Sequence, residues 1–286
     1  MNARPAPVVW AYWEDGPHAS RAAYLDLCLE TIERHAPPLE LRVLSRHDVV
    51  AWLPSIDLER WETLPAPNYR SDYVRSRVLQ RYGGIWIDVD TVALAPLSFL
   101  LDELDATGMV CFGKEVHRFF GGLCAAAPGT PFVDAWVERQ DRALSRVSDW
   151  STLSYAGLAQ DVTWKLARDV PWKAVPMASV APVPWYQWRR FFSRVESPRR
   201  LLEGSPNTVV LWNAIMAPRL RHRTRAQLLS SRILLSRLLR IGLGTSSVDD
   251  EEDLWTNLHG LSQVRFSEPG QRAESTIRRL PGGGGR

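Results

Sequence analysis

The chain has 286 residues, 45% hydrophobic and 23% charged, with a net charge of +3. Those figures suit a folded globular protein of one large domain, with or without an appendage. No run approaches the roughly 18 uncharged apolar residues that a membrane-spanning helix requires. Three cysteines, Cys28, Cys111 and Cys124, lack metal-ligand spacing, and their odd number argues against a disulfide framework. The opening stretch MNARPAPVVWAYWEDG lacks a signal-peptide core, because its apolar run breaks at Glu14 and Asp15. A reduced, cytoplasmic protein is the expectation.

In chain order, PVVWAYW (7–13) reads as a first buried strand and EDGPH as the turn after it. SRAAYLDLCLETIERHA (20–36) has helical periodicity at Ala23, Leu27 and Ile32, and Pro37 and Pro38 end it. LELRVLS (39–45) alternates as a second strand, and RHDVVAWL reads as a short helix. RSDYVRSRVLQRYGG predicts a helix from about Ser71, closed by Gly83 and Gly84. IWIDVD is the next strand. MVCFGKE (109–115) and FFGGLCAAA (119–127) read as strands, and TPFVDAWVERQDRALSRV (130–147) as a helix. A further helix is expected within 155–168, and NTVVLWN (207–213) is a late strand. Strands alternating with helices imply an α/β sheet with crossovers, whose ligands bind beyond the carboxyl ends of the strands.

Asp88 and Asp90 sit at such an end. In a strand, residues i and i+2 face one way, so both carboxylates are expected on one side with Val89 on the other. Two like charges held that close repel unless a cation lies between them. On the preceding helix, a 100° wheel groups Val74, Val78, Leu79 and Tyr82 toward the core and Ser76, Arg77, Gln80 and Arg81 toward solvent. Arg75 falls within the apolar arc with Asp72 at its edge, and a buried arginine is costly unless paired. Two readings stand: an internal Asp72–Arg75 ion pair, or two groups reaching past the strand end to a polar ligand.

The block SDYVRSRVLQRYGGIWIDVDTVALAPL resembles the core of the DxD-containing sugar transferases. These include the glycosyltransferases with a DxD sugar-binding region, the capsular polysaccharide synthesis proteins and, more distantly, the glucosyltransferase domains of clostridial toxins. Their pattern is S-D-x-x-R, a helix, then Y-G-G-hydrophobic-aromatic-hydrophobic-D-x-D. VVWAYWEDG is similar to the family's first strand, and VVLWNAIM (209–216) to its late H-hydrophobic-W-N motif. The resemblance implies a GT-A fold, a Rossmann-like α/β domain over residues 1–216; beyond it the residues themselves read as a basic helical extension over 217–275 and a flexible tail over 276–286.

It also implies transfer of a hexose from a nucleotide-sugar donor, UDP-linked, with retention of configuration, to a polysaccharide, glycolipid or small-metabolite acceptor. Carried over, Asp72 and Arg75 contact the donor sugar or its phosphates. Asp88 contacts the ribose or a metal through water, and Asp90 ligates Mn²⁺ or Mg²⁺. Trp10 lies by the nucleobase and Trp86 near the diphosphate. A divalent ion held by hard oxygens offsets the charge that develops on the leaving diphosphate, and zinc would call for His or Cys neighbours. Asp161, in AQDVTWK, is similar to a sugar-facing residue of related retaining transferases and is a second candidate carboxylate beside Asp72. The histidine of the late motif is replaced by Val210, which leaves Asn213 or water to complete the metal shell. Alternative readings are a sugar-nucleotide-binding protein with weak turnover and a metal-dependent phosphodiesterase.

From Arg189 to Arg240 twelve arginines face only Glu196 and Glu203, a net +10 that leaves the rest of the chain at about −7. RLRHRTRAQLLSSRILLSRLLRIG (219–242) reads either as a basic amphipathic helix making peripheral membrane contact or as a helix packed on its own domain with arginine stems along the surface. No nucleic-acid recognition motif accompanies the charge, and no nucleic-acid partner is expected.

Overall fold

A computed structural model describes residues 7–15, 21–104, 106–113, 120–146 and 166–252. Strand β1 (Val8–Tyr12) is followed by helix α1 (Ala23–His35), strand β2 (Glu40–Leu44) and helices α2 (Arg46–Trp52), α3 (Leu58–Thr63) and α4 (Pro67–Tyr82). Strands β3 (Gly84–Ile87), β4 (Thr91–Ala93), β5 (Met109–Gly113), β6 (Phe120–Ala126), β7 (Lys173–Pro176) and β8 (Thr208–Val210) complete the sheets. Six strands run in the order β2-β1-β3-β6-β5-β7, and β4 pairs with β8 in a separate ribbon. β1 is parallel to β2 and β3, and β5 to β7, while β6 is antiparallel to both its neighbours. This is the α/β architecture, parallel in its N-terminal half, that alternating strands and helices predicted.

Period-two alternation divides the buried side chains between the two faces of the sheet. Val9, Ala11, Ile85 and Ile87 join a cluster with α1 and the C-terminal helices. Trp10, Tyr12 and Trp86 point to the other face, against α2, α3, α4 and the helix Pro131–Leu144. Helix α4 starts earlier than predicted, at Pro67, a residue suited to a first helical position because its missing N–H has no intrahelical use. Its end is sharper than a plain cap. Gly83 and Gly84 have φ of +66° and +95°, and a Cβ on Gly84 would lie 2.3 Å from the Val8 carbonyl oxygen. Only glycine brings the chain from helix to strand so close to β1.

The face of α4 expected in solvent is covered. Ser76 is fully buried and Arg77 is 8% exposed, because the helix Pro131–Leu144 lies over them. Ser76 donates to Gln140 Oε1 at 2.6 Å, and Arg77 pairs with Asp141 while stacking 3.2 Å from the Tyr73 ring centroid. A wheel marks polar residues as outward, but it cannot show a second layer that brings partners to them.

The arginine-rich segment folds back on the same core. Leu234, Leu235, Leu238 and Leu239 are fully buried, and a Cβ on Gly242 would meet the Ala93 carbonyl oxygen at 2.7 Å. Arg240 forms a two-point pair with the buried Glu251 at 2.7 Å for each contact, and Arg199 pairs with Asp249. The leucines that would enter a membrane surface are therefore committed to the protein's interior, in line with the packed-helix reading. No helix among the described residues is long and apolar enough to cross a membrane.

Candidate active site

The strand expected to run through Asp90 stops at Ile87. Asp88, Val89 and Asp90 form a turn that carries the chain out of the main sheet and into β4. The two carboxylates therefore converge through a turn rather than a strand pleat. β8 then pairs with β4 in antiparallel register, Thr91 opposite Val210 and Ala93 opposite Thr208. That ribbon brings the late motif against the Asp-Val-Asp turn. The Leu211 N–H donates to the Asp90 carbonyl at 2.9 Å, and the Asn213 N–H donates to Asp90 Oδ2 at 2.6 Å.

Asp88 has a side chain 29% exposed, and its Oδ1 receives Arg75 Nη2 at 2.7 Å and Trp86 Nε1 at 2.8 Å. Arg75 also reaches Asp72 Oδ1 through Nη1 at 2.9 Å, and its guanidinium lies 5.2 Å from the Trp86 ring centroid. The ion-pair reading of Asp72 and Arg75 holds, and the arginine's other arm goes to Asp88 at the strand end, while Asp72 itself stays buried behind it. Gly121 makes room for this, since a Cβ there would sit 2.7 Å from Arg75 Nη1. Asp72 is 3% exposed, and its Oδ2 has no hydrogen-bond partner among the described residues. Burial, opposed by Arg75 and reinforced by Asp88, pushes its carboxyl up to about 6.

Asp90 is 8% exposed, and among the described residues no arginine, lysine or histidine forms an ion pair with it. Burial, with the Asp88 charge adding to it, raises its carboxyl to about 6 despite the hydrogen bond from Asn213. A buried carboxylate without its own countercharge, beside a second one with a free edge, is a donor set that fits a hard divalent cation. No group of three or more His, Cys, Asp or Glu side chains gathers there among the described residues, so the two carboxylates would leave positions for substrate oxygens and water. Val210 is 2% exposed and belongs to the core, unable to replace a ligating histidine.

Three site expectations change, and a fourth lies beyond what the structure describes. Trp10 is 1% exposed, donates its indole N–H to the Gly83 carbonyl at 2.9 Å and packs on Trp52 and Tyr82. It points toward the start of β3, away from the carboxylates, and fills the core rather than meeting a nucleobase. Trp86 is fully buried and acts on Asp88 from beneath, with no face open to a diphosphate. Asn213 meets Asp90 through its backbone N–H, while its side-chain oxygen accepts the Tyr24 hydroxyl. Its amide oxygen is thus already engaged, and the residue tethers Asp90 more directly than it offers a ligand. Asp161 lies outside the described residues.

Two contributors were not among the site residues expected from the sequence. Tyr24, on the inward face of α1, carries a hydroxyl that burial and Asp90 push far above its ordinary pKa, so it serves as a donor to Asn213. Trp212 has φ of +61° and donates its indole N–H to the Val183 carbonyl at 2.8 Å. A lone tyrosine among apolar helix residues was the signal for the first. The second depended on a chain segment distant in sequence.

The capsular polysaccharide synthesis protein family matches residues 1–117. The chain is 28% identical over 191 residues to a lactosylceramide 4-alpha-galactosyltransferase of Pongo pygmaeus, covering 62% of this chain and 81% of that one. To the enzyme of the same name from Gorilla gorilla gorilla it is 28% identical over 192 residues, covering 62% of this chain and 54% of that one. The chain thus spans about half the length of the second relative. The apo glycosyltransferase GlyE of Streptococcus pneumoniae TIGR4 superposes with a TM-score of 0.49 at 11% identity, over 90% of this chain and 64% of that one.

Proposed function

We propose that this glycosyltransferase is a metal-dependent, retaining enzyme of the DxD-containing class that moves a hexose from a UDP-sugar to a glycan or glycolipid acceptor. The observation that carries the reading is Asp90: a buried carboxylate with no ion-pair partner among the described residues, facing Asp88 where the chain leaves β3. Similarity to lactosylceramide 4-alpha-galactosyltransferases supports a hexosyl donor and a glycolipid acceptor, and the capsular family match supports a polysaccharide.

Asp88 and Asp90 would hold Mn²⁺ or Mg²⁺, which supplies Lewis-acid stabilisation to a diphosphate leaving group. Arg75 fixes the position of Asp88 by a charged hydrogen bond, and Trp86 adds a second donor to the same oxygen. That leaves Asp88 Oδ2, which no described residue bonds, as the oxygen turned to the ligand. The Asn213 N–H holds Asp90 Oδ2, so the pair of carboxylates is set before any ligand arrives, and little reorganisation is needed at reaction. Asp72, behind Arg75, keeps that guanidinium in place and is the nearest carboxylate to the proposed donor side on this helix.

The test is donor hydrolysis with a panel of nucleotide sugars with and without Mn²⁺. Asp90→Asn should keep the Asn213 hydrogen bond through its amide oxygen, retain the fold and lose metal-supported turnover. Mn²⁺-dependent turnover at the wild-type rate in that variant would remove the metal assignment.

A further inference from the structure

The largest exposed aromatic surface among the described residues is a neighbouring pair, Trp185 at 60% and Tyr186 at 64% exposure. Their rings meet edge to face with centroids 5.9 Å apart. They begin a 3₁₀ segment, Trp185–Phe192, whose later residues turn inward: Phe191 is fully buried, and Trp188 packs on Phe192 with Arg219 3.9 Å from its ring centroid. In a regular 3₁₀ helix Trp185, Trp188 and Phe191 would share one row. Non-helical backbone at Gln187 (φ −102°, ψ 16°) breaks that row and leaves the first two aromatics outside. Core packing explains the inner half of this segment. It does not explain the outer half.

The position of the pair is fixed relative to the carboxylates. The chain before it is stitched along β8 and the late motif by three hydrogen bonds. The Asn207 N–H donates to the Ser179 carbonyl at 2.7 Å, Thr208 Oγ1 to the Val180 carbonyl at 2.9 Å, and Trp212 Nε1 to the Val183 carbonyl at 2.8 Å. Trp212 lies between the two residues whose N–H groups hold Asp90. Trp185 is two residues past Val183, a reach of at most about 7 Å of backbone. The aromatic pair is therefore tethered, through Val183 and Trp212, to the late-motif segment whose N–H groups hold Asp90.

We propose that Trp185 and Tyr186 are the acceptor subsite, taking a pyranose unit of a glycan or glycolipid headgroup. This rests on the transferase reading above and names the surface that receives its second substrate. A pyranose has an apolar C–H face and a rim of hydroxyls. An exposed indole and phenol side by side present flat apolar area with one polar atom each, which matches both features. Aromatic rings also supply this area at low conformational cost, because each has two side-chain torsions to fix.

The experiment uses the full chain, fluorescently labelled, on an array of oligosaccharides that includes lactosyl, maltosyl and uronic-acid-containing glycans. Trp185→Ala, Tyr186→Ala and the double variant are compared with wild type, with Trp185→Phe as the conservative variant. Wild type should bind at least one glycan. The double variant should lose that signal by about tenfold or more, Trp185→Phe should recover part of it, and melting temperatures should stay at the wild-type value because both side chains are exposed. Glycan binding by the double variant equal to wild type, or no glycan bound by wild type, would overturn the subsite. UDP-sugar hydrolysis by wild type without acceptor tests the transferase reading separately: its failure sinks that reading, whereas intact hydrolysis with unchanged glycan binding sinks only the subsite.

Discussion

Arg75 is the residue on which the site turns, because one planar guanidinium serves Asp72 with Nη1 and Asp88 with Nη2. A lysine has a single ammonium and cannot span both carboxylates in that geometry. Removing the side chain leaves Asp72 buried beside no positive charge, a change that costs roughly 3–5 kcal/mol when a buried pair is broken. Arg75→Ala should therefore lose stability by about that amount together with activity. Arg75→Lys should recover most of the stability while donor turnover stays at least about tenfold below wild type, since the fork is gone. Chemical denaturation and donor hydrolysis on the same preparations separate the two effects. Full turnover in the lysine variant would reduce Arg75 to a countercharge.

At the scale of elements, the short ribbon β4–β8 joins the two halves of the chain. It follows directly on Asp90 and is backed by the helix Leu234–Gly242, which comes so close that a Cβ on Gly242 would meet the Ala93 carbonyl, the Thr31 methyl and a Val92 methyl. Thr31 itself donates to the Cys28 carbonyl and accepts the Ala93 N–H at 2.9 Å, so the contact has little slack. Gly242→Ala would place a methyl 2.7 Å from a backbone oxygen, and overpacking of this kind costs about 1–3 kcal/mol. The expected result is a lower denaturation midpoint with an unchanged m-value. A variant as stable as wild type would mean that this helix does not bear on β4 as the geometry implies.

For the whole molecule, part of the basic segment's charge is met by acidic residues in space. Arg225 pairs with Glu30, Arg240 with Glu251 and Arg199 with Asp249, so distant acidic residues meet the basic segment. Asp90 has no such partner among the described residues, and it ties global stability to pH. Asp90 is raised from 3.8 to about 6 by burial and then by Asp88. Between those values the native state holds a proton that the unfolded state has released, so the contribution of this group falls as pH rises from about 4 to about 6. In metal-free protein, Asp90→Asn should match wild type near pH 4 and become the more stable of the two above pH 6, with a melting temperature about 2–4 °C higher for each kcal/mol gained. Thermal scans of both proteins in chelator across that range measure it. A gap that widens toward low pH instead would show that Asp90 is held charged by a partner.

Much of this protein is legible in its residues taken alone. The period-two run VVWAYW, the capped run ending in Tyr82, Gly83 and Gly84, and the alternation of strands with helices follow from local backbone preferences and side-chain spacing, which need no knowledge of what lies opposite. The block holding Asp72, Arg75, Asp88 and Asp90 is local for the same reason, since one helix and one strand end place all four. What a side chain faces is decided elsewhere. Trp10 and Trp86 have the sequence setting of ligand-facing aromatics, yet helices from other parts of the chain cover them. Arg77 has the setting of a surface residue until the helix Pro131–Leu144 lies on it. Val210, Trp212 and Asn213 reach the Asp-Val-Asp turn only because β8 pairs with β4 across more than a hundred residues of chain, a contact fixed by long-range hydrogen bonding and core burial rather than by any local propensity.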